Sequence, residues 1–206
     1  MKTKIKTMPS KIIAVGLNYI DHAKELNMPI PKQPIIFIKP STSVIWHKQE
    51  IIYPKGVTEL DYEAELAIII KDKIKNVKAD EAKKHILGYT CANDITARDL
   101  QRLDGQWTRA KSFDTFCPLG PTVTDEIDPD NIDIRLYLNG GLKQSSNTSN
   151  MIFKVSELVS FISHVMTLLP NDIILTGTPP GVGPMKKGDT VEVEIEEIGK
   201  LQNYVR

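Results

Sequence analysis

The stretch Leu60-Asp61-Tyr62-Glu63-Ala64-Glu65-Leu66-Ala67-Ile68-Ile69-Ile70 begins as an alternation of acidic and uncharged residues and ends as an unbroken apolar run. In an extended strand successive side chains point to opposite faces, so Asp61, Glu63 and Glu65 share one face. Leu60–Lys71 is therefore read as one long strand. A solvated face would account for such a pattern, and the chain holds that case in Val191-Glu192-Val193-Glu194-Ile195-Glu196, where strict alternation marks a half-exposed strand. The earlier stretch differs because it continues into Ala67-Ile68-Ile69-Ile70 with both faces apolar, which carries its acidic face toward the interior. Buried charge needs a partner. An oxygen-ligating cation such as Mg²⁺ or Mn²⁺ would be one.

Working outward, Asp94 closes the apolar segment Thr90-Cys91-Ala92-Asn93 just before Thr96-Ala97-Arg98-Asp99 opens a helical turn or two, Thr96–Leu103. Capping that helix and ligating a cation are both open to it. His22 and Glu25 lie three apart on a short helix from about Tyr19 to Asn27, bounded by Pro29 and Pro31. The spacing suits a surface pair or an oriented general base. Lys111 follows an irregular segment, Asp104–Pro121, where it is either solvated or functional.

Strands are further expected at Lys11–Val15, Ile35–Lys39, Gly88–Ile95, Asp172–Thr176, Thr190–Glu197 and Leu201–Val205. Ile132–Leu138 and Leu142–Ser146, joined by Asn139-Gly140-Gly141, predict a tight hairpin. A polar helix is expected over Ala79–Leu87. A clearer one covers Val155–Met166, where Val155, Leu158, Val159, Ile162, Val165 and Met166 share a face. The count is mostly β with α, an α+β class: a β-roll with a few packing helices, in one domain spanning residues 1–206.

The 26 Lys and Arg residues balance 26 Asp and Glu, leaving no basic excess for nucleic acid or an anionic membrane. No apolar run approaches the roughly 18 residues that cross a bilayer, and Met1–Pro9 carries lysines without an apolar segment behind it. A cytoplasmic protein is expected. Cys91 and Cys117, without CxxC spacing, read as reduced thiols, and four histidines leave any divalent ion to carboxylates.

Taken together, Val15-Gly16-Leu17-Asn18-Tyr19 with His22 and Glu25, Phe37-Ile38-Lys39-Pro40, Leu60–Leu66, Gly88–Gln101, Lys111–Pro121 and Leu175-Thr176-Gly177-Thr178-Pro179 resemble the fumarylacetoacetate hydrolase superfamily. The likeness is particularly to its small single-domain acylpyruvate hydrolase and oxaloacetate decarboxylase or tautomerase members. The resemblance implies a mixed β-roll, a homodimer, and Mg²⁺ or Mn²⁺ held by Glu63, Glu65 and Asp94. It also implies a water-activating dyad of His22 and Glu25, Lys111 beside the substrate, and Gln101 and Thr178 in contact with it. Leu17 stands where some members carry Arg, which removes one anion contact.

Such a site would take a small 2-oxo acid. The leading expectation is a hydrolase cleaving the C–C bond of acylpyruvates to pyruvate and a carboxylic acid. The alternative is an oxaloacetate decarboxylase, keto-enol tautomerase or 2-hydroxy-dienoate isomerase working through the same enolate. A non-catalytic metal-binding module is the least favoured, since it would have no need for His22, Glu25, Lys111 and Gln101 together.

Overall fold

The computed structural model describes residues 7–206; residues 1–6, within the Met1–Pro9 stretch read above, lie outside the described residues. Its centre is a seven-stranded sheet in the order Ile35–Lys39, Ile12–Gly16, Ile173–Leu175, Ala64–Ile70, Ile86–Asn93, Cys117–Leu119, Val44–Trp46. Ala64–Ile70 lies in the middle and is buried throughout. Leu66, Ile68 and Ile70 enter one apolar cluster with Val159 and Ile162, while Ala67 and Ile69 enter a second on the opposite side. Packing on both sides is why the run lacks polar alternation. A five-stranded sheet, ordered Gly141–Asn147, Asp133–Leu138, Thr190–Ile195, Gly199–Val205, Glu50–Ile51, contributes to the first cluster. The molecule is mostly β, with helices α1 (Ile20–Glu25), α2 (Arg98–Asp104), α3 (Thr108–Lys111) and α4 (Val155–Val165).

The strand expected over Leu60–Lys71 is two strands. Leu60–Tyr62 belongs to a small third sheet with Thr96–Ala97 and Gly183–Met185, and Ala64–Ile70 joins the central sheet. The break falls at Glu63, whose backbone N–H donates to Asn93 Oδ1 (2.9 Å) and whose carbonyl accepts from Asp94 N–H (2.8 Å). The backbone there is satisfied by the chain end that carries Asp94, and the two strands diverge around it.

The polar helix expected over Ala79–Leu87 is only a 3₁₀ turn, Ala82–His85. Ala82 is its one buried residue, so a helix would have no apolar stripe to dock, and Ile86 is claimed by the ladder opposite Ile70. The segment taken as irregular, Asp104–Pro121, contains α3 and the strand Cys117–Leu119. The hairpin forms as read: Asn139 (φ 51°) and Gly140 (φ 80°) are both left-handed between Asp133–Leu138 and Gly141–Asn147. In α4, Val155, Leu158, Val159 and Ile162 are buried, but Val165 ends the helix and is 53% exposed. Ser163 is buried on the helix instead, donating to Ser160 O (2.8 Å) and accepting from Val77 N–H (2.9 Å).

Among the described residues no helix is long and apolar enough to cross a membrane. Cys91 and Cys117 are free and buried, and burial pushes each thiol up to about 12. Since the thiolate is the reactive form, a disulfide reagent at pH 8 should label neither cysteine in the native protein and both after denaturation.

Candidate active site

Glu63, Glu65 and Asp94 meet beside one cavity of about 260 Å³. Each offers a carboxylate oxygen within 4.8 Å of the others, and all three are buried. Glu65 is placed by the central ladder opposite Ala92, and Asp94 by the hydrogen bond to the Glu63 carbonyl. The N-cap position of α2 is Ala97, with no side-chain cap, and not Asp94; the Asp94 carboxylate instead accepts from Lys111 Nζ (Oδ2, 2.7 Å) and from Lys39 Nζ (Oδ1). Asp61, expected on the same face as Glu63 and Glu65, lies outside this trio and pairs with Arg98 Nε (2.8 Å), because the chain turns at Glu63.

The charges are unevenly compensated. Burial opposes ionisation of Glu63, but Lys111 (Nζ to Oε2, 2.8 Å) and Arg98 (Nη2 to Oε1, 2.5 Å) overcome it and hold the carboxyl down at about 2. Glu65 accepts from the Gly177 backbone N–H (2.7 Å) and has no ion pair among the described residues. Burial, followed by the charges of Asp94 and Glu63, pushes its pKa well above the ordinary range. Gly177 approaches this closely at φ 91°, where a Cβ would lie 2.8 Å from the Asn18 Cβ. Three buried hard oxygens with one carboxylate lacking a cation suit a divalent ion of the Mg²⁺ or Mn²⁺ kind.

On another wall of the same cavity is His22, whose Nδ1 is 2.8 Å from Glu25 Oε2. Glu25 Oε1 accepts from Gly181 N–H (3.0 Å), which fixes the carboxylate, and with Nδ1 engaged Nε2 is the ring nitrogen left for another partner. The entry into α1 is fixed by buried Asn18, which donates to Thr176 O (2.8 Å) and accepts from Phe153 N–H (2.8 Å). Lys111 is 3% exposed rather than solvated; burial opposes its charge, but Asp94 and Glu63 raise its pKa. Gln101 and Thr178 both line the cavity. Gln101 Oε1 accepts from Arg98 Nη1 (2.5 Å), so its amide N–H groups are the end free for another acceptor. Thr178 Oγ1 accepts from Gln144 Nε2 (2.9 Å).

The sequence reading gave no role to Lys39, Arg98 or Trp107. A lysine closing the otherwise apolar Ile35-Ile36-Phe37-Ile38 run was the available signal for Lys39, which is fully buried. Removing one partner of a buried ion pair costs about 3–5 kcal/mol. Lys39→Met should therefore lower unfolding free energy by that order in urea titration, although the side chain is replaced by one of similar length.

The family model described as fumarylacetoacetate (FAA) hydrolase C-terminal matches residues 11–206. The chain is 63% identical over 198 residues to an uncharacterized protein of Methanocaldococcus jannaschii, covering 96% of this chain and 84% of that one. It is 47% identical over 211 residues to the mitochondrial oxaloacetate tautomerase FAHD2B of Homo sapiens, covering 97% of this chain and 67% of the human one. A solved 5-carboxymethyl-2-hydroxymuconate delta-isomerase from Mycobacterium smegmatis superposes with a TM-score of 0.91 at 49% identity, over 96% of this chain and 79% of that one.

Proposed function

The chain belongs to the fumarylacetoacetate hydrolase family, and we propose that it is a divalent-metal-dependent enzyme interconverting the keto and enol forms of oxaloacetate or a close 2-oxo acid analogue. Residues 1–206 act in this reading as one catalytic domain, working as a homodimer as the family resemblance implies. The observation that carries it is the meeting, around one cavity, of His22, Lys111 and the three carboxylates. The similarity to an oxaloacetate tautomerase and a hydroxymuconate isomerase supports proton transfer over the C–C hydrolysis that the sequence put first.

A divalent ion held by Glu63, Glu65 and Asp94 would supply the Lewis acidity that makes a C–H beside a chelated ketone easier to remove. His22 Nε2 takes the C3 proton of the keto form, and Glu25 holds the ring and the imidazolium that results. The C–H electron pair becomes the enolate C=C bond, and the negative charge moves to oxygen, facing the Lys111 ammonium. Return of the proton to that oxygen gives the enol with no change in composition. Gln101 N–H groups suit the second carboxylate of oxaloacetate, and Thr178 orients the chain.

The His22–Glu25 pair at 2.8 Å also favours a second reading, acylpyruvate hydrolysis, since an oriented base can equally activate water. Enol-rich oxaloacetate mixed with Mg²⁺-loaded protein should lose its enol absorbance far faster than without protein, and without releasing pyruvate. Faster pyruvate release from oxaloacetate or from acylpyruvates than enol conversion would overturn the tautomerase reading in favour of decarboxylation or hydrolysis.

A further inference from the structure

We propose that Trp107 is the specificity-determining residue of this cavity, an end wall that excludes 2-oxo acids bearing a bulky apolar group beyond the ketone; the inference rests on the reading of the site given above. Gly16 ends the Ile12–Gly16 strand, and a Cβ at that position would lie 2.5 and 2.6 Å from Trp107 Cζ3 and Cη2. The indole thus occupies space that any side chain at position 16 would take. Its ring also meets Phe37 edge-on, with centroids 5.1 Å apart and planes at 83°. Phe37 in turn lies under the Lys111 ammonium, 5.3 Å from the ring centroid. Gly16, Trp107, Phe37 and Lys111 therefore form a continuous chain of contacts running from the wall to the charged end.

The chain around Trp107 makes this placement specific. Trp107 sits between α2, which carries Gln101, and α3, which carries Lys111, and its carbonyl accepts the Lys111 N–H at 3.0 Å. Leu17, Leu26 and Met28 add further apolar lining to the same cavity. Both cavity cations lie at the charged end and away from this wall, Lys111 paired with Glu63 and Asp94 and Arg98 with Asp61 and Glu63. A substituent directed toward Trp107 consequently meets apolar surface whose limit is set by size, while a small acceptor group can use Gln101. Removing the indole leaves an apolar recess on Gly16 that suits an aryl or long alkyl group.

The test is binding, which is read independently of turnover. Dissociation constants of oxalate, a short chelating acid, and phenylpyruvate, an aryl 2-oxo acid, are measured calorimetrically on Mg²⁺-loaded parent, Trp107→Ala and Trp107→Phe proteins. Trp107→Ala should shift the phenylpyruvate-to-oxalate affinity ratio toward phenylpyruvate by about tenfold or more, the scale at which pocket size discriminates apolar groups, and Trp107→Phe should lie nearer the parent. An unchanged ratio with oxalate still bound overturns the wall and leaves the proposed function standing. Loss of both ligands in Trp107→Ala assigns the residue to folding and overturns it as well. If the parent binds neither acid with metal, the reading of the site fails and the wall falls with it.

Discussion

Glu65→Gln should weaken Mg²⁺ or Mn²⁺ binding by at least about 100-fold, the upper end of what altering even an outer partner of a metal site costs. Glu65 is the member of the trio without an ion pair among the described residues, so its charge has most to gain from a divalent cation. Calorimetric titration of metal-stripped protein should show about one site per chain in the parent and none in the variant over the same range. Normal affinity in Glu65→Gln would remove Glu65 from the metal site.

Stability should move in the opposite direction in the metal-free state. Burial and the charges of Asp94 and Glu63 raise the Glu65 pKa in the folded protein. A raised folded pKa contributes stability that is present below the unfolded value and lost as pH rises through the folded one. Glutamine does not titrate, so metal-free Glu65→Gln should melt increasingly higher than the metal-free parent as pH rises from the ordinary carboxylate range. Added Mg²⁺ should raise the melting temperature of the parent alone.

His22→Ala should reduce oxaloacetate enol conversion by about 10²–10⁴-fold, the usual loss when a positioned acid-base group is removed. The imidazole is buried against the cavity, and its Nδ1 is committed to Glu25, so the effect should appear in kcat with Mg²⁺ affinity unchanged. Glu25→Gln should cost less, because the carboxylate orients the ring and does not itself reach the substrate. If His22→Ala abolished acylpyruvate cleavage while leaving enol conversion at the parent rate, His22 would act on water, and hydrolysis would become the better account.

Much of this site is legible locally. Period-two alternation puts Glu63 and Glu65 on one strand face, the apolar run behind them places that face near the core, and a three-residue spacing sets His22 against Glu25. These relations depend mainly on neighbours in sequence, although the break at Glu63 sends Asp61, on the same alternation, away from the trio. The hairpin at Asn139-Gly140 belongs to the same class, because positive φ is a property of the turn itself. The mostly β architecture also follows, since strand periodicities and turn residues recur along the chain.

What local pattern misses is convergence over long separations. The expected long strand is divided because Glu63 is bonded through its backbone to Asn93 and Asp94, some thirty residues away, a competition that periodicity does not contain. The polar segment before Ile86 shows the same limit from the other side: its composition allows a helix, but no apolar face exists to pack one. Lys39 and Arg98 read as ordinary cations in sequence, and Lys111 as either solvated or functional until the family resemblance sets it beside a substrate. Only the packed sheets bring them to the carboxylates, where low dielectric makes each charge depend on the others. The seat of Trp107 on Gly16 is likewise a matter of tertiary packing, since an absent Cβ acquires meaning from the ring that fills its place. Residue order by itself thus determined the strand-rich class, the acidic strand face and the His22–Glu25 pairing, while tertiary structure decided which charges compensate one another and which residues line the cavity, because those depend on distances that only long-range strand pairing and packing define.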